Sequence, residues 1–187
     1  MIILTGFEPY GRFKENISND IVNKLVFPKL QTQIMRQILP VSWDLSFSLY
    51  KSLLMRVNAD PKLVIMLGIH TKKNYSLEKY GWNLVLGNDV NNKVKAGIIR
   101  LDSPLFMKSI INIKQVYLIL KQITCISISF FPGTYLCNYI YYLALLLSKK
   151  RYPVLFIHIP YKEDLDRGIE VIRDLIETII SVQNIRI

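Results

Sequence analysis

Two cysteines, Cys125 and Cys137, and two histidines, His70 and His158, carry all the thiol and imidazole chemistry of this 187-residue chain. Cys137 stands in Pro132-Gly133-Thr134-Tyr135-Leu136-Cys137-Asn138, directly ahead of the apolar run Tyr139 to Leu147. A turn marked by Pro132 and Gly133 that leads into such a run predicts a helix with Cys137 in its first turn. First-turn N–H groups have no intrahelical acceptor and carry partial positive charge, which favours thiolate over thiol. A cysteine at such a place is a candidate nucleophile. The competing role is a small apolar residue of the core. His158 lies at the end of Val154-Leu155-Phe156-Ile157-His158-Ile159, which Pro153 and Pro160 bound. This run reads as a short buried strand. Open α/β sheets collect reactive groups at the carboxyl ends of strands. Cysteine hydrolases use such a pair: imidazole takes the thiol proton and later gives it to the leaving amine. By themselves these residues fit equally a buried histidine with an ordinary partner.

The segments around the pair carry a family likeness. Tyr135-Leu136-Cys137-Asn138-Tyr139 and Phe156-Ile157-His158-Ile159-Pro160-Tyr161, with the opening Leu4-Thr5-Gly6-Phe7-Glu8-Pro9-Tyr10-Gly11, resemble the active-site and opening segments of the type-one pyroglutamyl peptidase (pyrrolidone-carboxylate peptidase) family. The likeness covers nearly the whole chain. It implies a cysteine exopeptidase, an omega peptidase that removes N-terminal pyroglutamate from peptides, with Cys137 as nucleophile and His158 as general base and acid. The third member in the family is a glutamate, which falls here at Glu78 in Ser76-Leu77-Glu78-Lys79. A third group of this kind holds the imidazole in the useful tautomer. Without the likeness, Glu78 reads as a surface carboxylate.

Phe7 and Tyr10 stand where the family sandwiches the pyroglutamyl ring, a flat uncharged lactam suited to lie between aromatic faces. Core packing is the other role for both. Asn16, in Asn16-Ile17-Ser18 for the family's Asn-Pro-Ser, can bond the lactam or brace the loop. An ordinary amino terminus carries an ammonium group, and burying that unpaired would be costly. The likeness also implies a homo-oligomer. Departures include Phe131-Pro132-Gly133 for the family's Ser-Ala-Gly and a shortened loop at Ile69 to Lys73. Asn88-Asp89-Val90-Asn91-Asn92 stands for Arg-Ile-Pro-Asp-Asn, so an arginine is missing at Asn88 and turnover should be slow. An inactive homologue that binds pyroglutamyl ends or serves as an interaction protein is the alternative.

Composition fits one domain over residues 1–187, 51% hydrophobic and 20% charged, which is too apolar for disorder. Two cysteines make no secreted disulfide framework, and Cys125, within a strand expected over Ile123 to Phe130, reads as structural. No metal or cofactor is expected, since no cluster has metal-ligand spacing. The net charge of +10 raises a nucleic-acid role. The basic clusters, Lys72-Lys73 and Lys149-Lys150-Arg151, lack the interleaved aromatics of single-strand binders, so no nucleic-acid partner is expected. The apolar run ends at Lys149, short of the roughly 20 residues of a membrane span. No signal-peptide pattern opens the chain, and a cytoplasmic location is expected.

The elements that must position these residues read as strands alternating with helices. Strands are expected over Met1 to Leu4, Gln33 to Pro40, Lys62 to Leu67, Ile123 to Phe130 and Val154 to Ile159. Helices are expected from Ser18 as N-cap to about Val26, and from Asp44 as cap to about Val57 with Leu45, Leu49 and Leu53 on one face. A third is expected within Pro104 to Gln122, a fourth at Cys137. An amphipathic closing helix carries Leu165, Ile169, Ile172, Ile176 and Ile179, with Glu163 and Asp164 in its first turn. Gly6 to Gly11 and His70 to Asn92 read as irregular. The pattern predicts the α/β class, a three-layer α/β/α sandwich around a mostly parallel sheet.

Overall fold

The computed structural model describes residues 1–11, 14–28, 33–57 and 59–186. In chain order the elements are β1 (Ile2–Phe7), α1 (Ile17–Lys24), β2 (Ile34–Leu39), α2 (Trp43–Met55), β3 (Leu63–His70), β4 (Tyr75–Glu78), β5 (Tyr80–Trp82), β6 (Leu84–Asn88), β7 (Val94–Ile98), β8 (Phe106–Lys108), α3 (Ile113–Leu120), β9 (Ile126–Ser129), α4 (Leu136–Ser148), β10 (Val154–Pro160) and α5 (Leu165–Val182). Six strands form the main sheet in the order β2-β1-β3-β10-β4-β9. Its pairings are parallel except β10 with β4. Two ribbons, β5 with β8 and β6 with β7, stand apart from it.

Side chains alternate across a strand, and here both faces are apolar. Ile65, Leu67, Leu155 and Ile157 join α1, α3 and α5 in one core. Val64, Met66, Val154 and Phe156 join α2 and α4 in the other. The fold is therefore the expected α/β sandwich, two helices on one face and three on the opposite one. β10 is buried along its whole length because it has a strand on either side and helices above and below.

Local chemistry moved several boundaries. β1 runs on to Phe7 where a loop was expected, since Gly6 and Phe7 pair with Ile38 and Leu39 of β2. Asn16, not Ser18, caps α1; its Oδ1 accepts from the Ser18 N–H at 3.1 Å. The Ser18 hydroxyl is taken by β1, accepting the Phe7 N–H at 3.0 Å. α2 begins after Ser42 rather than being capped by Asp44, and its Trp43 N–H is met by the Asp89 carboxylate at 3.1 Å. α2 packs by Trp43, Ser46, Tyr50 and Leu53 and leaves Leu45 and Leu49 exposed. The aromatic row wins over the leucine row because Trp43 and Tyr50 fill more of the core. Asp164 caps α5 from outside, accepting the Arg167 N–H at 3.0 Å, so Glu163 precedes the helix.

The stretch from His70 to Asn92 is the largest correction. It holds β4, β5 and β6, and β4 lies inside the main sheet. Each strand is too short to show an alternation before Lys79, Gly81 or Asn83 interrupts it. Cys125 is exposed rather than buried. It precedes β9, an edge strand paired only with β4, so nothing covers it from outside. Among the described residues no helix is long and apolar enough to cross a membrane.

Candidate active site

The C-terminal ends of β3 and β10 lie side by side, with His158 in register with Gly68. A Cβ on Gly68 would stand 2.7 Å from the Phe156 ring and 3.1 Å from Cys137 Sγ. The absent side chain lets α4 bring Cys137 down onto the sheet beside His158. Cys137 is the second residue of α4, after the N-cap Tyr135 and Leu136. No side chain caps this helix, so its first N–H groups stay available to a ligand beside the thiol.

α4 is pinned by polar bonds as well as by apolar packing. Asn138 is fully buried. Its Oδ1 accepts the Trp82 N–H, and its Nδ2 donates to the carbonyls of Trp82 and Leu84, all at 2.8 Å. One turn after the cysteine, the Tyr141 hydroxyl donates to the Glu78 carbonyl at 2.8 Å. The helix that carries Cys137 thus also holds the main chain of Glu78. Neither residue was singled out from the sequence as a positioning group, although Asn138 stands next to Cys137 in the motif.

Glu78 ends β4, and β4 runs antiparallel to β10 with Glu78 opposite Phe156. This antiparallel pairing aims the carboxylate at the imidazole two residues further along β10. Glu78 Oε1 lies 2.7 Å from His158 Nδ1, and the two side chains are 2% and 7% exposed. The surface role for Glu78 is thereby excluded. Cys137 is near enough to His158 to act on its titration. Burial pushes the imidazole down, but the bonds and charges of Cys137 and Glu78 outweigh it and push it up to about 9. A proton is therefore held at His158 at neutral pH. The other histidine, His70, stacks on His158 with ring centroids 5.2 Å apart and planes 17° apart. Burial, and then the charge of His158, push His70 down to about 4.

A narrow cleft ends on Cys137. Phe7, Tyr10 and Asn16 line it, as do Val41, Ile69, Tyr135 and Leu136. The structure thus brings the three sequence-derived pocket residues to the thiol. Tyr10 lies beside Tyr135 with ring centroids 6.0 Å apart, and Trp43 meets Tyr135 edge-on at 5.2 Å. The Tyr135 hydroxyl donates to the Asn88 carbonyl at 3.0 Å. Gly87, at φ +148°, keeps the hairpin clear of this ring: a Cβ there would stand 2.7 Å from Tyr135 Cδ2. Tyr135 precedes the cysteine in the sequence motif, and no other sequence signal marks it as a wall.

Phe7 is 3% exposed and belongs to the α2/α4 core while bordering the cleft. Asn16 braces the opening loop: Oδ1 also accepts from the Ser18 hydroxyl at 2.8 Å, and one N–H of Nδ2 donates to the Glu8 carbonyl at 3.2 Å. Asn88 is exposed and meets the cleft wall through its carbonyl rather than its side chain. Asp89 is a buried knot. Its carboxylate accepts the N–H groups of Trp43, Asn91 and Lys93 at 3.1, 2.9 and 3.0 Å, joining α2 to the β6–β7 hairpin. Among the described residues no group of three or more His, Cys, Asp or Glu could hold a metal ion.

Comparison with known proteins bears on the family and the fold. A sequence model of the family described as pyroglutamyl peptidase matches residues 1–170. The pyrrolidone-carboxylate peptidase of Thermococcus litoralis is 30% identical over 87% of this chain and 77% of its own length. That of Pyrococcus furiosus is 29% identical over 86% of this chain and 80% of its own. Among solved structures, the pyrrolidone carboxyl peptidase of Thermus thermophilus superposes with a TM-score of 0.87 at 25% identity, covering 95% of this chain and 100% of that one.

Proposed function

The chain belongs to the pyroglutamyl peptidase family, and we propose that Cys137, His158 and Glu78 carry its chemistry. It is a cysteine-type hydrolase that removes N-terminal pyroglutamate from peptides. The observation that carries the assignment of residues is the 2.7 Å contact of Glu78 with His158 Nδ1, made while Cys137 acts on the same imidazole and ends the cleft.

In this reading the pyroglutamyl ring enters the cleft beside Tyr10 and Tyr135. The thiol proton rests on His158, and Cys137 Sγ attacks the carbonyl that joins pyroglutamate to the next residue. The uncapped N–H groups at the start of α4 receive the oxyanion. His158 then protonates the departing nitrogen, leaving a thioester and the shortened peptide. Water, deprotonated by His158, attacks the thioester and releases pyroglutamate. Glu78 keeps the imidazole turned so that Nε2 faces the thiol. A reducing compartment such as the cytoplasm suits the two free thiols. Assembly of several copies remains part of this reading, supported by exposed Leu86, Val94, Phe130 and Phe131.

The test is release of a fluorogenic amine from its pyroglutamyl amide, with and without prior alkylation by iodoacetamide. Release that alkylation stops is the expected result. No release by folded, unmodified protein rules the assignment out.

Tyr10 is the better probe of the cleft, because Phe7 is core. Loss of a buried phenylalanine costs about 3–5 kcal/mol of stability, which confounds any loss of activity. Half-buried Tyr10 can be truncated with less damage. Tyr10→Ala should raise KM by roughly two- to tenfold, the worth of one aromatic contact, with little change in melting temperature. An unchanged KM would remove Tyr10 from the substrate's surroundings.

A further inference from the structure

The cleft beside Tyr10 and Tyr135 accounts for one side of the scissile bond only. Neither histidine lines it. His158 Nδ1 is occupied by Glu78, so Nε2 must deliver the proton to the departing nitrogen. The peptide after pyroglutamate therefore leaves on the His158 side of Cys137, away from the cleft.

What stands on that side is His70 and the loop that follows it. His70 lies flat against His158. Its Nε2 is 2.8 Å from the Asn74 carbonyl. A carbonyl only accepts, so Nε2 carries the hydrogen and Nδ1 of the neutral ring is an acceptor. No partner for Nδ1 is found among the described residues. That atom is free to accept a main-chain N–H of a passing peptide. The exposed charge near it is mostly positive, while Glu78, which also acts on His70, is buried against His158. Lys72 is near enough for its charge to act on His70. Lys73 follows, and the Tyr161 N–H donates to the His70 carbonyl at 3.0 Å, which places Lys162 on the same rim. Lys72, Lys73 and Lys162 are exposed. The nearby acid, Glu163, is already paired with Arg167 at 3.9 Å.

We propose that His70, Lys72, Lys73 and Lys162 form the leaving-group side of the site, and that they select pyroglutamyl peptides whose following residues are acidic. The inference rests on the activity stated above and adds a substrate class to it. His70 supplies a flat neutral floor and one acceptor. The three lysines supply the attraction for carboxylates at the residues after the scissile bond.

The experiment compares kcat/KM for pyroglutamyl-Glu-Glu, pyroglutamyl-Ala-Ala and pyroglutamyl-Lys-Lys. Exposed charge pairs are individually weak, so the expected preference for the acidic over the basic peptide is roughly three- to tenfold at low salt. It should vanish near 1 M salt, where the Debye length is about 3 Å. The double variant Lys72→Glu/Lys73→Glu should reverse the order of the acidic and basic peptides. Lys149→Glu/Lys150→Glu makes the same change in net charge at the far end of α4, about 18 Å away along a helix rising 1.5 Å per residue. It should keep the wild-type order. Equal rates on all three peptides, or the same shift from both double variants, overturn the inference and leave the peptidase intact. No turnover of any of the three overturns the activity itself and the inference with it.

Discussion

Replacement of Cys137 by alanine abolishes turnover of a pyroglutamyl amide, and replacement of Cys125 leaves it at the wild-type level. The expected loss at Cys137 is about four orders of magnitude or more, because without the sulfur no acyl intermediate forms and the remaining groups assist only weakly. The two thiols differ in every relevant respect. Cys137 acts on the titration of His158 and ends the cleft. Cys125 is exposed ahead of an edge strand. The Cys137 position tolerates alanine sterically, since a smaller side chain over Gly68 removes a contact without creating a clash. Circular dichroism and thermal melting should therefore match wild type, so that lost turnover reports chemistry. Turnover retained in folded Cys137→Ala protein would end the cysteine-peptidase assignment.

Glu78→Gln is the second large effect. Glutamine matches glutamate in shape, so the fold and the cleft persist. What changes is the charge 2.7 Å from His158 Nδ1. Amide nitrogen can now face the imidazole and favour the wrong tautomer, and the imidazolium loses a counter-charge. A loss of about a hundred- to ten-thousandfold in kcat is the range for such orienting carboxylates. The pH profile gives an independent readout. His158 titrates at about 9 against an unperturbed 6.5. Its proton, needed by the departing amine, is present below that value and lost as pH rises through it. Wild-type kcat/KM should accordingly fall as pH passes about 9. Glu78 is one of the groups that raise the imidazole, so the alkaline limb of Glu78→Gln should lie at lower pH. A limb that stays in place, with kcat near wild type, would leave Glu78 as a structural carboxylate.

The two predictions rest on residues that entered the argument differently. Cys137 and His158 were legible from spacing and punctuation: a turn before an apolar run, and an apolar strand closed by proline. Both are local patterns, fixed by backbone chemistry within a few residues. Glu78 was found only through family likeness, because nothing local distinguishes it from a surface glutamate. Its surroundings read as irregular because β4 is four residues long and its burial comes from β9 and β10, distant in sequence. Tyr135, Asn138 and Tyr141 were invisible as site builders for a related reason. A polar group in an apolar helix acquires meaning only from the carbonyl or ring that it meets.

The sequence by itself determined the α/β class, the order of most elements, and the placing of Cys137 at a helix start and of His158 in a strand near its end. These follow from side-chain period and turn residues, which act over a few positions. Tertiary structure alone decided that β4 enters the sheet antiparallel to β10, and so that a carboxylate lies 2.7 Å from the imidazole. It decided that Phe7 is core as well as cleft wall, that Asn16 braces the opening loop, and that Cys125 is exposed. It also set His70 against His158, which leaves a neutral ring and three lysines on the leaving-group side. Each depends on a contact between residues far apart along the chain, and the energy of such a contact is defined only once the chain has closed around it.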